Sequence, residues 1–478
     1  MANSWQTITL EEFAQHQKGF AFKSKDYVEK GIAVVRVSNL TTNSIDISDL
    51  KYVSEEVASD KRNFKLTQND IVIATVGSWP KNPASVVGKV IKVPKNCDNF
   101  LLNQNAVRFR VKSEDPYDQL FLYYLLKSKT FSDYIISTAQ GSANQASITL
   151  KDIYAFEFKC PSASERKEIA NILSAIDDKT SLNSHTNQTL EQMAQALFKS
   201  WFVDFDPVID NALAAGNDIP EALQHKAEKV KQAQQLSDFK PLPDDIRALF
   251  PSEFEQTGDP TIGLAGWIPK GWKYSELSEF MNVKHGFAYK GEYFSDEPTN
   301  DILLTPGNVA IGGGFKGDKF KFYNGPIMDD YIFTEGDLYI TMTDLSKAGD
   351  TLGYPAIVPC IEGLTFHHNQ RLGKVDFKDI NRFGPEFLYR CLCSRNYRSY
   401  IIASATGTTV KHTSPTKILQ HKVITSGGLV EPIFEQYVKH FSAKKELNNM
   451  NSIDLAKTRD VLLPKLISGE ITINKEVV

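Results

Sequence analysis

FLYYLLKSKTFSDYIISTAQG, from Phe121 to Gly141, returns 266 residues later as FLYRCLCSRNYRSYIIASATG, from Phe387 to Gly407. A match of this length at a single displacement indicates an internal repeat, and the displacement holds elsewhere in the chain. Trp5 and Leu10 reappear as Trp272 and Leu277, and GFAFK at Gly19 to Lys23 returns as GFAYK at Gly286 to Lys290. NDIVIAT from Asn69 returns as GDLYITM from Gly336, and Asn103-Gln104 as Asn369-Gln370. Chance does not keep one offset across separated segments, so the 478 residues are two copies of one plan. The length agrees, being too great for one ordinary domain.

Each half opens with short β-branched and aromatic runs broken by Gly, Asn and Pro, such as IAVVRV at Ile32 and YVSEEV at Tyr52, which predict strands. FLYYLLKSKTFSDYII predicts one helix, with Leu122, Leu125, Leu126 and Tyr134 at helical spacings. Each half then ends in a longer helix whose stripe advances by alternating steps of four and three. The first stripe is Ile169, Leu173, Ile176, Thr180, Asn183, Asn187, Leu190, Ala194, Leu197, Trp201. The second is Phe434, Val438, Phe441, Lys445, Asn448, Ser452, Leu455, Arg459, Leu462, Leu466. Both are apolar at the ends and polar in the middle, like a coiled-coil seam whose central polar positions set register. A helix lying on its own domain is the plainer reading, but about 38 residues make a rod of about 57 Å, longer than a small domain covers. Two such rods pack most simply on each other. Ser162 and Glu165 form a capping box for the first, Pro432 suits the opening turn of the second, and Gly469 suits its end. Pro464 should bend or reset the last turn.

The net charge of −4 argues at first against nucleic acid. Its distribution changes that reading. Asp204 to Ile262 holds five basic and twelve acidic residues, a balance of −7 that leaves +3 for the remainder. That stretch is a connector with a short helix around Ala222 to Leu236, and the domains flanking it are mildly basic. Five cysteines without a C-x-x-C pair, no export signal and no apolar run of about 18 residues point to a reduced, cytoplasmic protein.

Catalytic motifs are missing where an enzyme would need them. There is no G-x-x-x-x-G-K-[ST], and Gly312-Gly313-Gly314 reads as a flexible hairpin tip. Asn82-Pro83-Ala84-Ser85 is not the Asn-Pro-Pro-aromatic motif of an adenine methyltransferase. Glu165-Arg166-Lys167 has the acid-x-Lys spacing of a nuclease but belongs to a helix start. His367-His368 lacks further ligands and reads as a surface or DNA-facing pair. No G-x-S-x-G is present.

QALFKSWFVDFDPV (Gln195 to Val208), LLPKLISGEI (Leu462 to Ile471) and IPKGW (Ile268 to Trp272), set on duplicated halves and paired helices, resemble the specificity subunit of Type I restriction-modification systems. The resemblance covers essentially the whole chain. It implies an α+β architecture of two mixed α/β target-recognition domains, residues 1–160 and 267–428. A long spacer helix (161–203) and a C-terminal long helix (429–470) would pack as an antiparallel coiled coil, with an acidic connector at 204–266. It further implies a non-catalytic subunit that reads a split target on double-stranded DNA. Such a subunit recruits two methyltransferase subunits and the restriction and translocase subunits. It would hold no cofactor of its own: S-adenosylmethionine, ATP and Mg belong to those partners. Base readout calls for polar side chains on loops, which suggests Lys81, Asn82, Ser142, Asn144 and Gln145 in the first domain. In the second it suggests Arg371, Thr408, Thr409, Lys411 and His412. Lys23, Lys25, Lys290, Lys316 and Lys319 suit phosphates. The rival readings are a duplicated extracellular binding or adaptor protein, which should carry a secretion signal, and part of a fused modification enzyme, which should carry catalytic motifs.

If the helices act as a ruler, one extra heptad at Thr180 and one at Lys445 keeps both seams and lengthens the rod by about 10.5 Å. At about 3.4 Å per base pair, methylation mapping of the variant should show the unread gap longer by about one to three base pairs, with unchanged half-sites. An active complex that keeps its original gap would refute the ruler.

Overall fold

The computed structural model describes residues 5–41, 43–79, 87–142, 145–237, 239–317, 319–346 and 348–471. Their contacts form two compact units, Met1–Leu182 with Asn451–Val478, and Asn183–Met450.

The first unit is built on an antiparallel sheet of β1 (Ala14–Lys18), β3 (Ile71–Ala74), β4 (Val90–Lys92) and β5 (Ala106–Val111), in the order β1-β5-β3-β4. In β5 the strand period puts Val107, Phe109 and Val111 inside and leaves Arg108 and Arg110 half-buried between them. Arg110 then satisfies the buried Asp70 carboxylate, at 2.5 and 2.8 Å. A second sheet contains β2 (Ile32–Val35), paired in parallel with Leu101–Leu102. YVSEEV is a strand only through Val53. Ser54 accepts a hydrogen bond from the Val57 amide at 3.3 Å and starts a helix over Glu55–Asp60 instead. The single helix expected from Phe121 is likewise two, α1 (Pro116–Lys127) and α2 (Lys129–Thr138). Ser128 is extended between them and caps α2 through the Phe131 amide.

The first long helix, α3, runs over Ala163–Phe202. Its capping box forms as the sequence suggests: the Ser162 amide donates to Glu165 at 2.9 Å, and the Glu165 amide donates to the Ser162 hydroxyl at 3.4 Å. Within the first unit Ile169 and Leu173 share a core with Leu466 and Ile467 from the end of the second long helix.

In the second unit the acidic stretch is more than a connector. It forms α4 (Asp206–Ala215) and α5 (Gln224–Gln234), and buries Phe205, Val208, Leu223 and Phe250. This explains WFVDFDPV: Trp201 stands edge-on to Phe250 at 5.3 Å, Phe205 packs on Trp272, and Asp204 bonds Lys226 at 2.5 Å. The sheet comprises β6 (Met281–His285), β8 (Leu338–Thr341), β9 (Pro355–Ile357) and β11 (Leu372–Phe377), in the order β6-β11-β8-β9. Strand for strand this is the first sheet displaced by 265 to 267 residues. A companion sheet pairs β7 (Asp301–Leu304) with β10 (Thr365–His368) in parallel, as β2 pairs in the first unit. Then follow α6 (Pro385–Cys393), α7 (Arg395–Ser404) and the second long helix, α8 (Glu431–Ser468). Pro464 does not end α8, and Gly469 follows with the left-handed φ of 77° expected of a cap.

Every residue of the two stripes is buried or half-buried. The long helices pack antiparallel: Asn187 bonds the Lys445 carbonyl, while Trp201 meets Phe434. At the centre the Asn183 side chain donates to the Asn448 carbonyl at 3.3 Å, and the Asn448 side chain donates to Asn187 Oδ1 at 2.8 Å.

The repeated GFAF/GFAY string has a steric cause. A Cβ on Gly19 would lie 2.0 Å from the Asn103 carbonyl oxygen, and one on Gly286 would lie 2.1 Å from that of Asn369. The backbones also bridge here in parallel, Phe20 to Asn103 and Phe287 to Asn369. Gly19→Ala should therefore cost about 3 kcal/mol, the upper range for forcing atoms into a packed site. Urea unfolding measures this, and a variant as stable as the parent would contradict the close approach.

Candidate nucleic-acid interface

One small motif recurs beyond the main sheet of each unit. In the first, Gln140–Ser142 pairs with Gln145–Ser147, which pairs with Val76–Gly77 at the exit of β3. In the second, Lys411–His412 pairs with Thr343–Asp344 at the exit of β8, and Thr406 bridges His412. The register is equivalent: Gln140 opposes Ser147 as Thr406 opposes His412. Both ribbons carry a glycine with positive φ in their first arm, Gly141 and Gly407. A Cβ on either would lie 2.0 Å from a backbone oxygen, of Gln145 or Val410.

The ribbons gather six of the residues singled out from sequence. Ser142, Gln145, Thr408, Thr409 and His412 are exposed, and Lys411 is half-buried. Trp79 braces the first ribbon by donating from Nε1 to the Ser142 carbonyl at 2.8 Å. The second is braced by Asp344, whose carboxylate accepts from the Ser346 amide at 2.6 Å and from the Thr351 hydroxyl at 2.7 Å. Burial opposes ionisation of Asp344, but these donors outweigh it and hold the carboxyl below its ordinary range. Arg398 binds the Gly349 and Leu352 carbonyls of the same loop. Lys81, Asn82 and Asn144 lie outside the described residues, as does Asn82-Pro83-Ala84-Ser85.

Arg371 stands at the root of the second ribbon, exposed, with its carbonyl accepting from the Met342 amide at 2.8 Å. It has a neighbour that sequence reasoning missed. Burial lowers the Lys321 ammonium and the positive charge of Arg371 lowers it further, so two cations share this surface. Lys321 Nζ lies 3.7 Å from the centroid of Phe294. The alternation Lys319-Phe320-Lys321-Phe322 was the available signal, because a strand period puts both lysines on one face.

The remaining lysines are exposed but sit on other elements. Lys23 and Lys25 belong to the turn after GFAF, where the Lys23 amide binds Asp26 at 2.8 Å. Lys290 occupies the repeat of that turn, 3.7 Å from Glu292. Lys316 and Lys319 offer their carbonyls to Asn308, at 3.2 and 2.9 Å.

The histidine pair is not on the surface. His367 and His368 are 0 % and 1 % exposed, because the strand they occupy lies inside its sheet. His367 bridges the Asp301 carboxylate at 2.7 Å and the Tyr289 hydroxyl at 3.3 Å. His368 Nε2 meets the Leu372 carbonyl at 2.9 Å. Gly312-Gly313-Gly314 is a tip, as read, but a packed one: a Cβ on Gly313 would lie 2.6 Å from Cys393 Sγ. Among the described residues, no cluster of three His, Cys, Asp or Glu side chains is arranged to hold a metal, and no helix is long and apolar enough to cross a membrane.

Burial lowers His368 to about 4, and does the same to His421 between the Tyr397 and Tyr400 rings. A histidine with a folded pKa below its unfolded 6.5 binds fewer protons in the native state. Its stabilisation is complete above pH 6.5 and is lost as pH falls towards 4. Stability should fall by on the order of 2 to 3 kcal/mol per histidine across that window. Denaturant titrations should show His421→Phe with a shallower decline, and an unchanged slope would refute the assignment.

Residues 3–192 match the family model described as the Type I restriction modification DNA specificity domain. The chain is 27% identical over 412 residues to the Type I restriction enzyme HindI specificity subunit of Haemophilus influenzae, covering 80% of this chain and 84% of that one. It is 25% identical over 456 residues to the MjaIX specificity subunit of Methanocaldococcus jannaschii, covering 90% and 86%. The fold is similar to the crystal structure of the Type I restriction-modification S subunit from M. genitalium. The TM-score there is 0.52 at 15% identity, over 99% of this chain and 98% of that one.

Proposed function

We propose that this chain is a specificity subunit of a Type I restriction-modification system, a non-catalytic subunit that recognises DNA sequence, and that its two ribbons read the two halves of a split target. The observation that carries the reading is the recurrence of one glycine-containing ribbon at the same place in both units, with different side chains along its outer end. A shared frame with unlike tips is what two half-sites of different sequence require.

Ser142 and Gln145 would meet base edges in the first half-site, joined by Lys81, Asn82 and Asn144. Thr408, Thr409, Lys411 and His412 would meet those of the second. Their amides and hydroxyls supply the donors and acceptors that major-groove readout needs. Arg371 and Lys321 would serve the phosphates beside the second ribbon, and Lys23, Lys25, Lys290, Lys316 and Lys319 would add charge that positions without specifying. The recognition domains would span 1–160 and 267–428, linked by 204–266 and followed by helical segments at 161–203 and 429–470. Two methyltransferase subunits and restriction or translocase subunits would bring S-adenosylmethionine, ATP and Mg to the bound DNA, in the cytoplasm.

Replacing residues 1–160 by the corresponding domain of a relative tests the reading. Methylation mapping of the assembled enzyme should show one half of the motif changed and the other kept. A change in both halves would mean that the two domains do not read independently.

A further inference from the structure

Among the described residues, Asp177–Arg459 and Glu191–Lys445 join the long helices as ion pairs, and in both the acid is on α3 and the base on α8. In the first unit Asp177 pairs with Arg459 at 3.2 Å, and in the second Glu191 pairs with Lys445 at 2.6 Å. The four side chains are only 25 to 29% exposed, too enclosed for solvent to substitute freely for a missing partner. Each acid also receives a donor from its domain: the Tyr124 hydroxyl reaches Asp177 at 2.9 Å, and Arg390 reaches Glu191 at 3.1 Å. Burial works against the Glu191 carboxylate, yet Arg390 and Lys445 hold it down at about 2.

The duplication does not reproduce these pairs. The displacement of 265 residues that superposes the two stripes puts Lys445 where α3 has Thr180, and Arg459 where α3 has Ala194. Asp177 and Glu191 correspond to Ser442 and Ala456 on α8. The other stripe residues make no such distinction. Ile169 corresponds to Phe434, Leu173 to Val438, and the central Asn183 to Asn448, so apolar and amide contacts would accept either helix as partner.

Laid antiparallel on a copy of itself, α3 would set Asp177 opposite Ala194 and Glu191 opposite Thr180, leaving both copies of Asp177 without a cation and each Glu191 with Arg390 alone. A pair of α8 helices would leave both copies of Lys445 without an acid and each Arg459 with only the exposed Asp460 of its own helix, at 3.0 Å. Breaking an enclosed pair by removing one member costs more than the intact pair contributes. We propose that α3 and α8 carry a charge code: the partner that fits α3 is an α8, and the seam rejects a second α3. A duplicated chain needs such a rule because its two halves are otherwise alike enough to pair with themselves, within a growing pool of identical chains.

Charge reversal in the full chain tests this. One variant, Asp177→Lys with Glu191→Lys, makes both helices cationic. The other, Lys445→Glu with Arg459→Glu, makes both anionic. Each alone should melt about 5 °C or more below the parent, at about 2 to 4 °C per kcal/mol for units of this size. Co-expressed with different tags, the two should co-purify in equal amounts, because only helices from different chains then match. Two differently tagged parent chains should stay apart. All four reversals in one chain put the bases on α3 and the acids on α8. They should recover at least half of the lost melting temperature, with Arg390 left facing a lysine. Parent-like melting of either double variant, failure of the tags to co-purify, or a fourfold variant no more stable than the double ones would each overturn the code.

Discussion

Amides buried in a helix seam have nowhere to find water, and this constraint organises the molecule. Asn183 and Asn448 are 3% and 5% exposed, each supplying a side-chain donor to the opposite helix. Sliding one helix by a heptad would keep apolar residues in contact but strand those donors, at about 1 to 3 kcal/mol for each buried group left unsatisfied. The apolar residues hold the helices together, and the asparagines decide which residue meets which. With that register set, Arg459 meets Asp177 and Lys445 meets Glu191. Leu466 likewise reaches the core around Ile169, and Phe434 reaches Trp201.

On this frame the two halves separate what must stay from what can vary. The sheet orders coincide, the Gly19 and Gly286 approaches coincide, and the ribbon glycines coincide. The tips differ, Ser142 and Gln145 against Thr408 and Thr409, and their side chains are exposed, so changing them costs the fold little. The braces differ as well. A tryptophan donor holds one ribbon, and a carboxylate with an arginine-bound loop holds the other.

Much of this was legible in the residues. Repetition gave the duplicated sheets, because equal strings at equal spacing must meet equal packing demands, and the four-three steps gave both buried stripes residue by residue. What escaped were features set by partners distant in sequence. His367-His368 looked polar and exposed, yet Asp301, Tyr289 and the Leu372 carbonyl satisfy them inside a sheet. Ser128 and Ser54 stop one element and start another through single hydroxyl contacts that a periodicity count does not register. The acidic stretch read as a connector because its charges dominate its composition, although Phe205, Val208 and Phe250 form a buried set around Trp201 and Trp272. Lys321 went unnoticed because its relevance comes from Arg371, fifty residues away.

The placement of α3 also has a consequence in time. Its aromatic end, Trp201 and Phe202, is covered by Trp272, Phe387 and Phe434, and Ile169 and Leu173 near its start share a core with Leu466. On a ribosome adding about 5 to 20 residues per second, the chain between Phe202 and Phe434 takes roughly 10 to 50 s to appear. Through that interval a completed helix waits with an apolar flank in water; the second unit can close once α8 has emerged to Met450, the first only when Leu466 and Ile467 follow. The first unit, begun first, is thus completed last, and a message truncated before Leu466 yields a chain whose second core is finished and whose first core is not, a ready substrate for chaperones and proteases.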